Sequence, residues 1–209
     1  MRNCFLAAVM LPALCLAADV KPIDLPAPQT DGGTPLMQAL KARRSTREFG
    51  DRKLSPQVLS NLLWAATGVN RPDGHRTAPT ASNRQEIDIY VITADGAYLY
   101  EPKGHKLTAI VSDDLRALAG TQDFVKTAPV NLVYVADFAK YGEKTAEENK
   151  LTYSGADTGY VSQNVYLFCA SEGLVTVVRA GIDRPALSKA MRLRPEQRII
   201  LEQPVGYPK

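Results

Sequence analysis

The stretch Pro129–Ala136, PVNLVYVA, limits the possible folds more than any other part of the chain. It is apolar with almost no alternation, and a run of that length without polar relief reads as a strand covered on both faces. A central strand of that kind needs a layer of structure on each side. Ile87, Ile89 and Val91 alternate with Asp88 and Tyr90, and Asp95-Gly96 then leads into Ala97–Tyr100, the pattern of a β-hairpin with a type I′ turn. Two further strands are expected at Leu174–Val178 and Arg198–Gly206. Helices are expected from Thr34-Pro35 through Leu36, Met37 and Leu40, and from Ser55-Pro56 through Ala66 to a C-terminal Gly68. A short helix spans Asp113–Ala119. A long one runs from about Thr152 to Glu172 and ends at Gly173, and Asp183 caps Arg184–Met191. Helices and hairpins are mixed rather than alternating as βαβ units, so the fold class is α+β.

The chain divides into three parts. Residues 1–18 have the layout of a secretory signal peptide: Arg2, the apolar run Cys4–Leu16, then Ala17 and Ala18. The run is too short to span a bilayer and Pro12 interrupts it. A buried core helix, a membrane anchor or lipid attachment at Cys15 are the other readings, and Leu14 before that cysteine argues against the last. Export to the periplasm or the medium is expected, with no twin-arginine pair. Residues 19–33, with Pro22, Pro26 and Pro28, read as an extended arm, and residues 34–209 as one domain. Loss of the leader takes 25 basic residues to 24 against 22 acidic ones, a formal charge of +2, which gives no footprint for nucleic acid. It also leaves Cys169 as the single cysteine, so no internal disulfide can form. In its apolar setting Cys169 reads as a buried, inert thiol.

The most distinctive chemistry is Arg43-Arg44-Ser45-Thr46-Arg47, three guanidiniums and two hydroxyls at the end of a helix. Arginine forks match phosphate oxygens, and a hydroxyl adds a donor to the same group. A solvated basic helix face is the other reading. No Gly-x-Gly-x-x-Gly fingerprint, P-loop, Gly-x-Ser-x-Gly elbow or Cys-x-x-Cys pair is present. His75 and His105 lack helical metal-pair spacing and read as solvated loop residues; no metal site is expected. Trp64 reads as a core residue. The long polar loop Val69–Ser82 has no apolar period, and loops of that length usually have a function.

The arginine stretch, the loop Pro79-Thr80-Ala81-Ser82-Asn83-Arg84-Gln85, the Gly-ended long helix and the strand running into Arg179-Ala180-Gly181 together resemble the nitroreductase superfamily of FMN-dependent oxidoreductases. The likeness covers about Pro35 to Pro208. The stretch from Gly68 to Ala81 looks most similar to the SagB-type, thiazole-forming oxidase branch. The resemblance implies a mostly antiparallel central sheet flanked by helices, a homodimer, and FMN near the subunit interface. It implies that Arg43, Arg44, Ser45 and Arg47 hold the flavin phosphate, and that Pro79, Thr80, Ala81, Asn83 and Gln85 reach the ring. Backbone amides at Arg179, Ala180 and Gly181 would approach the flavin N5 region, and Lys209 would add a further phosphate contact. No side chain is assigned as a catalytic acid, because the flavin carries the hydride chemistry. For Asn83 and Gln85, plain turn chemistry is the other reading.

The implied substrate is a small organic molecule such as a nitro compound or quinone. The short, polar span Phe138–Leu151, where the family commonly has a helical cover, points to an open pocket. Export separates the protein from cytoplasmic NAD(P)H, so a redox partner in its place is expected. A non-catalytic flavin-binding or scavenging protein with the same fold is the competing reading.

Overall fold

The computed structural model describes residues 20–209; the leader expected at residues 1–18 lies outside them. A seven-stranded sheet forms the centre: β1 (Ile23–Asp24), β2 (Ile87–Thr93), β3 (Gly96–Glu101), β4 (Lys106–Val111), β5 (Val130–Asp137), β6 (Val175–Thr176) and β7 (Gln197–Gly206). Their order is β1-β4-β3-β2-β5-β7-β6 and every pairing is antiparallel. Six helices pack around it: α1 (Leu36–Ala42), α2 (Pro56–Thr67), α3 (Arg116–Ala119), α4 (Asp123–Thr127), α5 (Glu147–Ser171) and α6 (Arg184–Ala190).

The apolar run is β5, buried at every position and flanked by β2 and β7. Its alternate side chains feed two cores. Leu132, Tyr134 and Ala136 join a cluster with Val161, Val165 and Cys169 of α5 and Leu62 and Leu63 of α2. Val133 and Val135 face the other way, toward Leu115, Val125, Leu187 and Met191. Each core therefore depends on the same strand.

Several expectations shift in detail. The hairpin turn is Ala94-Asp95, since Thr93 pairs with Gly96. Gly96 has φ +141, and a Cβ there would meet the Val111 carbonyl at 2.6 Å, so the glycine answers to β4. Strands β1 and β4 and helix α4 were not expected, and α5 begins at Glu147, five residues early. Leu174–Val178 shrinks to β6 plus a bridge between Arg179 and Glu202. Gly173 ends α5 with φ +68, and the Leu174 amide donates to the Cys169 carbonyl at 2.8 Å, a Schellman closure. His105 is not solvated: its Nε2 lies 2.7 Å from Ser60 Oγ and its Nδ1 2.9 Å from the Tyr100 hydroxyl.

The α1 stripe differs most. Leu36, Met37 and Leu40 are 62%, 74% and 43% exposed, and Ala39 is the buried residue. The period is helical, but within one chain the apolar face points outward. Trp64 is half-buried, and its Nε1 donates to the Val69 carbonyl at 3.1 Å.

Gly68 ends α2 as expected but for a different reason. Its φ of −66 is open to any residue, and what excludes a side chain is Trp64, whose Cα would lie 2.7 Å from a Cβ at this position. Gly68→Ala is expected to destabilise the chain by about 1–3 kcal/mol, as overpacking does. Chemical denaturation checks this, and an unchanged midpoint would contradict the packing account.

Candidate active site

Helix α1 stops at Arg43, whose φ of −55 and ψ of 123 turn the chain into an extended run. The Thr46 amide then donates to the Thr176 carbonyl at 3.0 Å, tying the arginine segment to β6. Ser45 Oγ lies 2.9 Å from the Tyr166 hydroxyl, which also accepts from the Val178 amide at 2.9 Å. With Val178 donating to the phenol oxygen, the phenol proton is available to Ser45, whose own proton is then free for an anion. The Arg43 guanidinium stacks over the Tyr166 ring at 5.1 Å. Arg43, Arg44, Thr46, Tyr166, Thr176 and Pro208 line a cavity of about 410 Å³; Ser45, Arg47 and Lys209 adjoin these residues in sequence but are not part of its lining.

Whether these residues suit a phosphate rests on their clustering. Among the described residues, Arg43, Arg44 and Arg47 form no ion pair, and neither do Arg52, Arg71, Arg76, Arg84, Arg184, Arg192 and Arg198; what sets the first three apart is that they fall within five residues beside a cavity. Three guanidiniums without an acid beside a hydroxyl and an open cavity fit the donor set that a dianionic phosphate requires. A larger cavity of about 530 Å³ lies between the arm and helices α2 and α5, near Asn61, Trp64, Asn164 and Phe168. It contains none of the expected site residues, and size alone does not make it the better candidate.

The loop Pro79–Gln85 is built separately. Ser82, Asn83 and Gln85 have φ of 56, 51 and 53, a left-handed conformation that non-glycine residues adopt at a cost. Local bonds hold it: the Gln85 amide donates to Thr80 Oγ1 at 2.9 Å, and Gln85 Nε2 donates to the Gly74 carbonyl at 3.0 Å and to Asn83 Oδ1 at 3.1 Å. Both protons of the Gln85 amide are thus spent on loop shape, while Asn83 is exposed and keeps its amino group for a ligand. The Ala81 amide donates to Asp157 Oδ2 of α5 at 2.9 Å. Asp157 and Tyr166 are nine residues apart, about 14 Å along one helix at 1.5 Å per residue.

Around Arg179 the expectation narrows. Its amide donates to the Glu202 carbonyl at 2.8 Å, and its guanidinium pairs with Glu202 Oε2 at 2.9 Å and donates to Gln122 Oε1 and to the Gly181 carbonyl. The side chain is structural and points away from solvent, which leaves Ala180 and Gly181 as the exposed backbone. Gly120 is required beside it, because a Cβ there would collide with the guanidinium. Tyr166, Asp157 and Glu86 were not singled out from the sequence. The available signal was weak: Asp157 and Tyr166 flank Val161 and Val165 on a buried helix face that also carries Ser154, Thr158 and Ser162, and Glu86 is an acid directly before the strand residue Ile87.

Burial pushes the Glu202 carboxyl up to about 8, against the pull of Arg179. A raised carboxyl stabilises the fold fully below its unfolded value and loses that contribution as pH rises through about 8. Arg179→Leu removes the one cation paired with Glu202, so it is expected to cost about 3–5 kcal/mol once Glu202 is charged. The deficit should be smaller at about pH 6, where Glu202 takes up a proton. Thermal melts at the two pH values check this, and an equal deficit at both would contradict it.

Residues 40–207 match the model of the nitroreductase family. A relative from Methanocaldococcus jannaschii, described as a nitroreductase, is 33% identical over 156 residues, covering 68% of this chain and 76% of that one. A crystal structure from Ralstonia eutropha, also described as a nitroreductase, superposes with a TM-score of 0.87 at 40% identity, covering 97% of this chain and 96% of the other. The NADPH:FMN oxidoreductase of Vibrio harveyi, solved with NAD+, shares the fold with a TM-score of 0.63 at 18% identity, covering 83% of this chain and 69% of that one.

Proposed function

The chain belongs to the nitroreductase family, and on that premise we propose that it is an FMN-dependent oxidoreductase acting on a small organic acceptor such as a nitro compound or quinone. The observation that carries the cofactor is the pair Arg43 and Arg44 on one cavity, without carboxylate partners among the described residues, with Arg47 following in the same extended segment. Bound FMN supplies the hydride and electron transfer. The chain's own residues bind and orient. Arg43, Arg44 and Arg47 would neutralise the phosphate, with the exposed Lys209, next in sequence to the lining residue Pro208, as a further cation. Ser45, positioned by Tyr166, donates to a phosphate oxygen. Amides at Ala180 and Gly181 lie on the exposed turn after β6 and face the ring, and the Asn83 amino group meets its polar edge.

A homodimer belongs to the same proposal. The phosphate half and the loop half occupy different stretches of α5, while Leu36, Met37 and Leu40 of α1 and Leu151, Tyr153 and Tyr160 of α5 are exposed. Exposed apolar side chains of that size on two adjoining helices suit a second copy. Placement in the SagB-type branch, export through residues 1–18 and a redox partner in place of NAD(P)H form the outer part of the reading.

Titration of the protein with FMN tests it. Arg43→Ala combined with Arg47→Ala is expected to weaken FMN at least tenfold, since each charge-assisted bond contributes about 1.5–3 kcal/mol. Riboflavin has no phosphate, so its affinity should not change. Equal losses for both ligands would move the phosphate elsewhere, and binding without any redox cycle would favour the scavenging protein.

A further inference from the structure

Beneath the strained loop lie two acids that the flavin reading does not use. Glu86 is fully buried and Asp157 is 3% exposed. The Tyr141 hydroxyl donates to Glu86 Oε1 at 3.0 Å and lies 3.0 Å from Ser154 Oγ, but Glu86 Oε2 has no donor among the described residues. The Asp157 carboxyl lies within hydrogen-bonding reach of Glu86, and its Oδ2 accepts from the Ala81 amide. A buried carboxylate oxygen without a donor is costly, and two buried carboxylates in contact are costlier still. One proton between them removes both problems, because Oε2 becomes the donor and Asp157 the acceptor.

We propose that Glu86 and Asp157 share a single proton, and that this pair is the clamp that fixes the loop Pro79–Gln85 in its left-handed conformation. Its consequence for the cofactor rests on the reading that this loop faces the flavin. The clamp works through position: Asp157 touches the loop backbone and Glu86 touches Asp157, and neither is assigned contact with the ring. Asp157, held by the Ala81 amide on one side and Glu86 on the other, resists the tendency of Ser82, Asn83 and Gln85 to relax.

Other polar and charged groups reach the pair from each packed element. Tyr141, after β5, donates to Glu86, and burial pushes its phenol up to about 12, so it stays a donor across the useful pH range. From the loop before β2, the half-buried Arg76 attracts Glu86 through space without a hydrogen bond to it. Arg84 stacks over the Tyr141 ring at 5.0 Å, and Lys140 binds the Gln85 carbonyl and Asp88. From α5, the Ser154 hydroxyl can donate to the Tyr141 oxygen at 3.0 Å, and the Lys150 carbonyl, at 3.4 Å, is a more distant competitor for the phenol proton. No cation in this set touches Oε2. Burial raises the Glu86 carboxyl first, and Asp157 adds to the shift. The clamp is therefore complete below the ordinary glutamate range and is lost as pH rises through the raised value.

Glu86→Gln tests this, because its amide group donates to Asp157 permanently and its carbonyl still accepts from Tyr141. In the FMN-free protein, the protection of the Ala81 amide against hydrogen exchange, corrected for intrinsic rate, should fall about tenfold for each pH unit above the Glu86 value. In Glu86→Gln it should stay flat, and Asp157→Ala should strip the protection at every pH. FMN affinity should follow the same profile in all three proteins. A slope in Glu86→Gln equal to that of the parent, or full Ala81 protection in Asp157→Ala, overturns the clamp. Protection that follows the substitutions while FMN affinity does not supports the clamp and removes the flavin from the loop.

Discussion

The packing of α5 against one face of the sheet is the constraint on which the site depends. Val161, Val165 and Cys169 pack into the same core as Leu132 and Tyr134 of β5. A second fastening runs from the Tyr134 hydroxyl to Gln203 of β7 at 2.6 Å, and from Gln203 on to the Ser162 carbonyl at 3.4 Å. A buried polar chain of this kind fixes the helix in rotation as well as position, since a slip would strand its members without partners. Asp157 and Tyr166 both lie on the inward side of that helix. One rigid element thereby sets the loop at one end and the arginine segment at the other.

The parts of the fold that were legible in the sequence are those with one dominant cause. The unalternated run of β5 could be satisfied only by burial on both faces, and Ser55-Pro56 and Asp183 cap α2 and α6 with side chains that accept from Val58 and Ala186. The parts that were not legible have causes at a distance. Strand β4 carries little periodicity of its own, KLTAIV, and is set by pairing with β3 and by the closeness of Gly96 to Val111. The outward face of α1 is another case: the period of Leu36, Met37 and Leu40 says that the stripe is buried somewhere, but does not say in which chain.

The site divides the same way. Arg43, Ser45 and Arg47 stand out as candidates in the sequence, because three arginines in five residues are unusual and their chemistry is local. Asn83 could be read in part. Gln85 and Arg179 have roles that only the structure gives, one holding the loop through Gly74 and the other closing a buried pair with Glu202. Tyr166 and the Glu86–Asp157 pair were missed because each works by contact across more than seventy residues or through a neighbour, and an isolated Tyr, Glu or Asp in a sequence carries no mark of that.

The two ends of the site also differ in the kind of charge they use. At the proposed phosphate end, Arg44 and Arg47 are exposed and guanidinium does not titrate in the accessible range, so an anion bound there would respond to salt rather than pH. At the loop end the charge is buried and rests on one proton, so screening by salt is weak and pH governs. Exposed arginines cost the unliganded fold little, because water solvates them, and they can be left without carboxylates until an anion arrives. A buried acid cannot be left so, and must be protonated, paired or both. The loop strain can persist only where a partner of that strength is built in beneath it. This explains why the pair stands under Ala81, where backbone is held against its preference, and not beneath the relaxed turn at Ala180 and Gly181.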